Sequence, residues 1–286
     1  MKSKILDGRI ISSKIKKDIK RKISNLEENK NRIPGLAAVY VGDDKGSLAY
    51  VNMIKKNSEK VGMKCIIKHF ENNISQEELL KELSNLNKDS TIDGIIIQLP
   101  LPSHINEKEV LANVDFKKDI DGVNYINAGK FYLGEEINVP CTPKGIIKLI
   151  EEYDISIEGK KSVVVGRSNI LGKPLSLLML NRNATVEICH SRTHNLKEEL
   201  LTADIVISCV GKPNLIKSDM VKNGAIVIDA GINNVNENIV GDVKFNDVMK
   251  KTSWITPVPG GVGPMTIAML LENTMEAYFK NGIKTP

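Results

Sequence analysis

The chain has 286 residues, enough for one large core or two ordinary ones, and its 41% hydrophobic and 26% charged residues are those of a globular protein. A net charge of +5, from 40 basic against 35 acidic residues, is too mild and too dispersed for nucleic acid and suits small anionic ligands. The N-terminus starts charged and stays charged, against a signal peptide. Apolar runs such as Gly94–Ile97 are far too short to span a membrane. Cys65, Cys141, Cys189 and Cys209 form no CxxC and read as reduced core thiols of a cytoplasmic protein.

In chain order, Arg9 to Glu28 carries Ile11, Ile15, Ile19, Ile23 and Leu26 at helical spacing. Leu36–Gly42 reads as a buried strand, Ser47–Val61 as a helix stopped by Gly62, and Met63–Phe70 as a second strand. Ser75, with Glu78 three residues on, is a capping-box start for a helix reaching Leu86, and Ile92–Leu99 is a third strand. Asp115 to Pro140, rich in Gly and Asn, reads as an irregular crossing between domains. Thr142–Tyr153 is a helix with Pro143 in its first turn. Alternation then resumes, with strands at Ser162–Val165, Ala184–Cys189, Asp204–Val210, Ala225–Ala230 and Ser253–Thr256. Helices lie near Lys173–Asn181, Leu196–Leu201 and Ser218–Val221, and a long one over Pro264–Lys280 ends the pattern. Strands alternating with helices predict an α/β fold with parallel sheets.

The most telling stretch is SVVVGRSNILGKP, Ser162 to Pro174. A β-branched run stops at Gly166, and a helix opens at Gly172 and Pro174, the usual arrangement by which an α/β fold holds a phosphate. Ser168 stands where the second glycine of GxGxxG would be, so the plain dinucleotide fingerprint fails. Arg167 inside the turn still favours a visiting anion. The next strand ends in His190-Ser191-Arg192-Thr193, with no acid beyond Glu187. Hydroxyls and a cation at that edge suit a 2′-phosphate, which points to NADP, with NAD left open. His190 and His194 have zinc-like spacing but no third ligand, so no metal is expected.

GRSNILGKP, CHSRTHN, AIVIDAGIN and TPVPGGVGPMT, together with VGDDKGSLAYV, DGIIIQLPLP and KDIDGVNYINAGK, resemble in order and spacing the bifunctional methylenetetrahydrofolate dehydrogenase/methenyltetrahydrofolate cyclohydrolase family. The resemblance implies an N-terminal parallel-sheet folate domain at 1–140, with the C-terminal segment 265–286 packing back on it. It also implies a Rossmann-like NADP domain at 141–264, a cleft between the two, and a homodimer through the cofactor domain. It implies hydride transfer from 5,10-methylenetetrahydrofolate to NADP, then hydrolysis of the methenyl product to 10-formyltetrahydrofolate. Residue by residue, Tyr50, Gln98 and Asp121 match catalytic positions. Ser47, Tyr50, Asp121, Pro259, Gly260 and Gly261 match folate-binding positions, and Gly166, Arg167, Ser168, Ser191 and Ile232 match cofactor-binding positions. The chemistry of Asp121 fits, since a pterin presents an amino group and a ring N–H side by side and a carboxylate accepts both. Asp119, two residues earlier, reads as a capping or loop residue.

One position departs from the pattern. The family reads Tyr-x-x-x-Lys, with the lysine central to the cyclohydrolase step, and here Tyr50 is followed four residues on by Ile54. Gly42 and Gly62 on either side leave no gap for a register shift. Lys56, six residues from Tyr50, points elsewhere on a helix; Lys55 serves only if its stem bends back. Dehydrogenase activity is expected to persist and cyclohydrolase activity to be weak or absent. The alternatives are a fully bifunctional enzyme, a catalytically silent folate- and NADP-binding subunit, and another Rossmann-type dehydrogenase, against which the missing His/Asp pair near the turn counts.

Overall fold

The computed structural model of the chain describes residues 4–236 and 238–282. The elements are β1 (Lys4–Ile5), α1 (Gly8–Glu28), β2 (Gly35–Val41), α2 (Lys45–Val61), β3 (Lys64–Phe70), α3 (Gln76–Lys88), β4 (Gly94–Ile97), α4 (Glu107–Ala112), α5 (Tyr125–Tyr132) and α6 (Cys141–Glu152). They continue with β5 (Lys161–Val165), α7 (Gly172–Asn181), β6 (Thr185–Cys189), α8 (Leu196–Leu201), β7 (Ile205–Ser208), β8 (Ile226–Asp229), a β9–β10 hairpin (Asn233–Val235 and Asn238–Val240), α9 (Phe245–Val248), β11 (Trp254–Ile255) and α10 (Val262–Gly282).

The chain divides into two compact units. One joins residues 4–13 to Thr142–Thr266, and the other joins Lys14–Cys141 to residues 267–282. A boundary at 1–140 therefore places residues 4–13 differently from the structure. The reason is local: Lys4–Ile5 adds as a parallel edge strand beside Trp254–Ile255. Residues 283–286 of the segment 265–286 lie outside the described residues.

The second of these units is built on a three-stranded parallel sheet, order β3-β2-β4. Every residue of β2 is buried, which explains its unbroken apolar run, while edge strand β3 alternates. Asp44 caps α2 by accepting from the Ser47 N–H at 2.7 Å, and Gly62 closes it in the left-handed conformation. The Ser75–Glu78 capping box forms in full. The segment from Asp115 to Pro140 is not an irregular crossing, as its composition suggested. It contains α5 and belongs wholly to this unit. Its polar residues are spent on turns and caps: Asn124 accepts from the Ile126 N–H and donates to the Ala112 and Val114 carbonyls.

The same unit holds the end of α10. Asp93, 3% exposed, takes both ends of the Arg32 guanidinium at 2.7 and 2.8 Å and the Gly35 N–H at 2.8 Å. Arg32 in turn lies over the Tyr278 ring, 4.8 Å from its centroid, and accepts the Tyr278 hydroxyl on its carbonyl.

The other unit is a six-stranded, all-parallel sheet, order β1-β11-β8-β7-β5-β6. Strand β5 lies between β6 and β7, so the strand order reverses at its carboxyl end, the point where ligands meet doubly wound sheets. Strands β7 and β8 are buried throughout.

Replacing Asp93 by Ala leaves Arg32 without its buried partner and is expected to destabilise the protein by about 3 kcal/mol, read as a lowered urea midpoint.

Candidate active site

The three-stranded unit brings Ser47, Tyr50, Gln98 and Asp121 together. Ser47 stands in the first turn of α2, Tyr50 in the second, and Gln98 follows the end of β4. Gln98 points Nε2 at the Leu99 carbonyl at 2.7 Å and toward Ser47 Oγ at 3.5 Å. Asp121 follows the buried Ile120 and accepts the Cys141 N–H on Oδ1 at 3.2 Å. Its carboxyl is pushed up to about 6, first by burial and then by the charge of Asp119, with the Cys141 N–H pulling against both. Tyr50 is raised well above the usual phenol range, by burial first and then by Asp121 and Cys141. Its hydroxyl is therefore neutral at any working pH and can donate to or accept from a ligand, but does not act as a phenolate.

Asp119 does the loop work expected of it. It is 1% exposed and accepts from the Val123 and Asn124 N–H groups and from Asn127 Nδ2, at 3.2, 2.9 and 2.8 Å. That fan of donors turns the chain sharply, so Asp121 emerges beside α2.

Ile54 lies on the same face of α2 as Ser47, Val51 and Ser58 and is fully buried. Neither neighbouring lysine compensates. Lys55 sits 4.0 Å from Glu59 and its charge acts on the Cys65 thiol of β3, on the far side of β2 from Gln98. Lys56 is exposed. The groups that shift Tyr50 and Asp121 are each other, Asp119 and Cys141, with no cation among them.

The six-stranded unit holds the remaining candidates. Gly166 has φ +135, and a Cβ there would lie 2.4 Å from Cys209 Sγ and 2.8 Å from the Cys209 carbonyl. A Cβ on Gly172 would lie 2.2 Å from the Gly166 carbonyl. Bare backbone at both positions presses the start of α7 onto the turn after β5, a cradle shaped for a phosphate. Ser168 takes the Lys173 N–H on its carbonyl at 3.1 Å and the Gly172 N–H on Oγ at 3.4 Å, which fixes the loop. Arg167 is exposed and pairs with no carboxylate among the described residues, so its guanidinium is available to an anion.

At the end of β6, His190 to Thr193 form a turn closed by the Thr193 N–H on the His190 carbonyl at 2.9 Å, and Ser191 and Arg192 are exposed. Glu187, the acid of that strand, is engaged by Lys161 at 3.0 Å. Ile232, 66% exposed, follows β8. Its loop is shaped by Asp229, which accepts from the Gly231, Asp242 and Val243 N–H groups, and by Gly231, whose bare Cα lets Asp242 approach. Pro259, Gly260 and Gly261 belong to this unit as well, so the folate-binding candidates are divided between the two units. A Cβ on Gly260 would meet the Arg9 guanidinium at 3.0 Å.

Three contributors escaped sequence reasoning. Cys141 acts through its backbone N–H and gives no sequence signal. Cys209 packs under Gly166, and burial pushes its thiol up to about 12. Asn273 stands in the apolar helix α10, where an amide on a buried face was the available signal.

These features define a class: a two-unit α/β protein with a doubly wound nucleotide-type sheet in one unit and a carboxylate–tyrosine–amide cluster in the other. Residues 6–121 match the model of the tetrahydrofolate dehydrogenase/cyclohydrolase catalytic domain, and residues 140–282 that of its NAD(P)-binding domain. The chain belongs to the tetrahydrofolate dehydrogenase/cyclohydrolase family. It is 49% identical over 281 residues to the bifunctional protein FolD of Campylobacter hominis, covering 98% of each chain. It superposes on the bifunctional FolD of Campylobacter jejuni with a TM-score of 0.96 at 46% identity, covering 98% of this chain and 100% of that one. The methylenetetrahydrofolate dehydrogenase-cyclohydrolase of Trypanosoma brucei, solved with NADP cofactor and inhibitor, gives 0.94 at 35% identity, covering 99% of each.

Because the Asp121 carboxyl is raised above its unfolded value, its ionisation costs stability as pH rises through about 6. Asp121→Asn is expected to stabilise the protein by about 1–2 kcal/mol at pH 7.5, allowing for partial exposure, and to have little effect near pH 4. Denaturant midpoints at the two pH values check this.

Proposed function

We propose that the chain is an NADP-dependent methylenetetrahydrofolate dehydrogenase in one-carbon metabolism, with cyclohydrolase activity weak or absent. The observation that carries the second half is Ile54: a fully buried apolar side chain four residues from Tyr50, with no cation among the described residues acting on Tyr50 or Asp121.

Asp121 accepts the paired amino and ring N–H groups of the pterin. Tyr50, held neutral, and Gln98 and Ser47 orient the folate by hydrogen bonds, and Pro259–Gly261 offers backbone with few side chains for a flat ligand. Arg167, Ser168 and the Gly166 cradle would hold the cofactor phosphates; Ser191, with Arg192 beside it, suits a 2′-phosphate, and Ile232 would serve the nicotinamide end. When bound, NADP supplies the hydride acceptor.

Hydride transfer needs the two rings stacked at reacting distance and no proton relay, so it survives without a lysine. Adding water to the methenyl carbon does need proton transfer, and a positioned acid or base typically contributes about 10²–10⁴-fold. The methenyl product then leaves this enzyme for a separate hydrolytic step.

The reading extends to a cytoplasmic homodimer joined through the six-stranded unit. Four free thiols support the compartment. The outermost strand β6 supports the dimer, since it leaves Ile188 exposed on an edge that native sheets cover. No helix among the described residues is long and apolar enough to cross a membrane.

Steady-state kinetics that follow NADPH formation and methenyl decay separately are the test. NADPH formation without enzyme-dependent methenyl loss is the expected result. Rapid methenyl loss would overturn the missing hydrolysis, and no NADPH at all would make the chain a silent binding subunit. Ile54→Lys is expected to raise methenyl hydrolysis about 10²–10⁴-fold while leaving hydride transfer in place.

A further inference from the structure

We propose that Asn273 is a positioning residue for the folate site: its buried amide fixes the spacing between the segment that carries Asp121 and the segment that supplies Asp121 with its hydrogen-bond donor. The proposal rests on the pterin-binding role given to Asp121 above.

Asn273 is fully buried. Its Nδ2 donates to the Ile120 carbonyl at 2.8 Å and to the Val139 carbonyl at 2.9 Å, and lies 3.6 Å from Cys141 Sγ. One carbonyl immediately precedes Asp121; the other is two residues before Cys141, whose N–H holds Asp121 Oδ1. The Cys141 thiol donates back to the Ile120 carbonyl at 3.4 Å. A single amide thus spans two segments that meet at the carboxylate.

A second feature shows how close those segments run. Gly122 has φ +64, and a Cβ there would lie 1.9 Å from the Asn138 carbonyl. Backbone touches backbone one residue after Asp121, and Asn273 ties the same two segments one residue before it. Leu270 and Ala277, three residues before and four residues after Asn273 on α10, are apolar and buried. An amide is retained in such a setting where its donors are used, because an unpaired one would be expelled in favour of a leucine-sized apolar side chain.

Among the described residues, the groups that act on Asp121 are Tyr50 from α2, Asp119 from its own loop and Cys141 from α6, none of them a cation. Its negative charge is favoured by the Cys141 N–H and thiol, and a shift of the 139–141 segment removes that support. Loss of the clamp favours the protonated carboxyl, which no longer accepts both pterin N–H groups.

The test is Asn273→Ala in the full-length enzyme. The expected result is a rise of roughly tenfold in KM for methylenetetrahydrofolate. The acid limb of kcat/KM is expected to move to higher pH, with KM for NADP unchanged. Thr274→Ala is the control: its buried hydroxyl bonds the Leu270 carbonyl within its own helix at 2.8 Å, so the variant loses thermal stability without either change. Asn273→Ser, which keeps one hydroxyl donor, replaces the alanine variant if that one does not fold, and is expected to move the limb in the same direction. A less stable Asn273 variant with the wild-type limb and folate KM would overturn the proposal. Asp121→Asn separates the two levels. If it leaves folate KM and the limb intact, the role of Asp121 fails; if it removes the limb while Asn273→Ala leaves it in place, only the positioning role fails.

Discussion

A carboxylate held against its own desolvation organises the folate half of this protein. Asp121 sits among a neutral phenol, a buried acid and a thiol, and Cys141, through its backbone N–H and its thiol, supplies the hydrogen bonds that favour its charge. To present it there, the chain turns on the buried Asp119, opens Gly122 to a neighbouring carbonyl, and ties both flanks to α10 through Asn273. In the proposed role, two N–H donors from the pterin would offset that desolvation. The elevated proton affinity of Asp121 is its mark.

The nucleotide half solves a different problem, that of letting backbone approach an anion. It does so by subtraction. Gly166 and Gly172 have no side chains where any side chain would collide with Cys209 or with the turn itself. Ser168 replaces a fingerprint glycine and uses its carbonyl and hydroxyl to pin the first N–H groups of α7. Positive charge comes from Arg167, exposed on the turn.

Local signals were read well where one segment's own chemistry decides its shape. The Ser75–Glu78 pair makes its capping box, Gly62 ends its helix, and the apolar run at Leu36–Val41 is a central, fully buried strand. A segment that answers to a distant partner carries no such local signal. Lys4–Ile5 has too few residues to announce a strand and becomes one only beside Trp254–Ile255. The Asn- and Gly-rich stretch after Asp115 resembled a linker because its asparagines are caps and clamps whose partners lie up to twenty-two residues away.

The sequence by itself determined the alternation of strand and helix, the glycine turn after β5, the family and the one aberrant position at Ile54, because each of these is written in contiguous residues or fixed spacings. Only the tertiary structure decided that no cation among the described residues acts on Tyr50 or Asp121, that Lys55 turns toward Glu59 and Cys65, and that Asn273 reaches residues more than a hundred positions earlier. The physical reason is that charge and hydrogen bonding act over a few ångströms of space, and the order of residues along a chain does not say which of them share it.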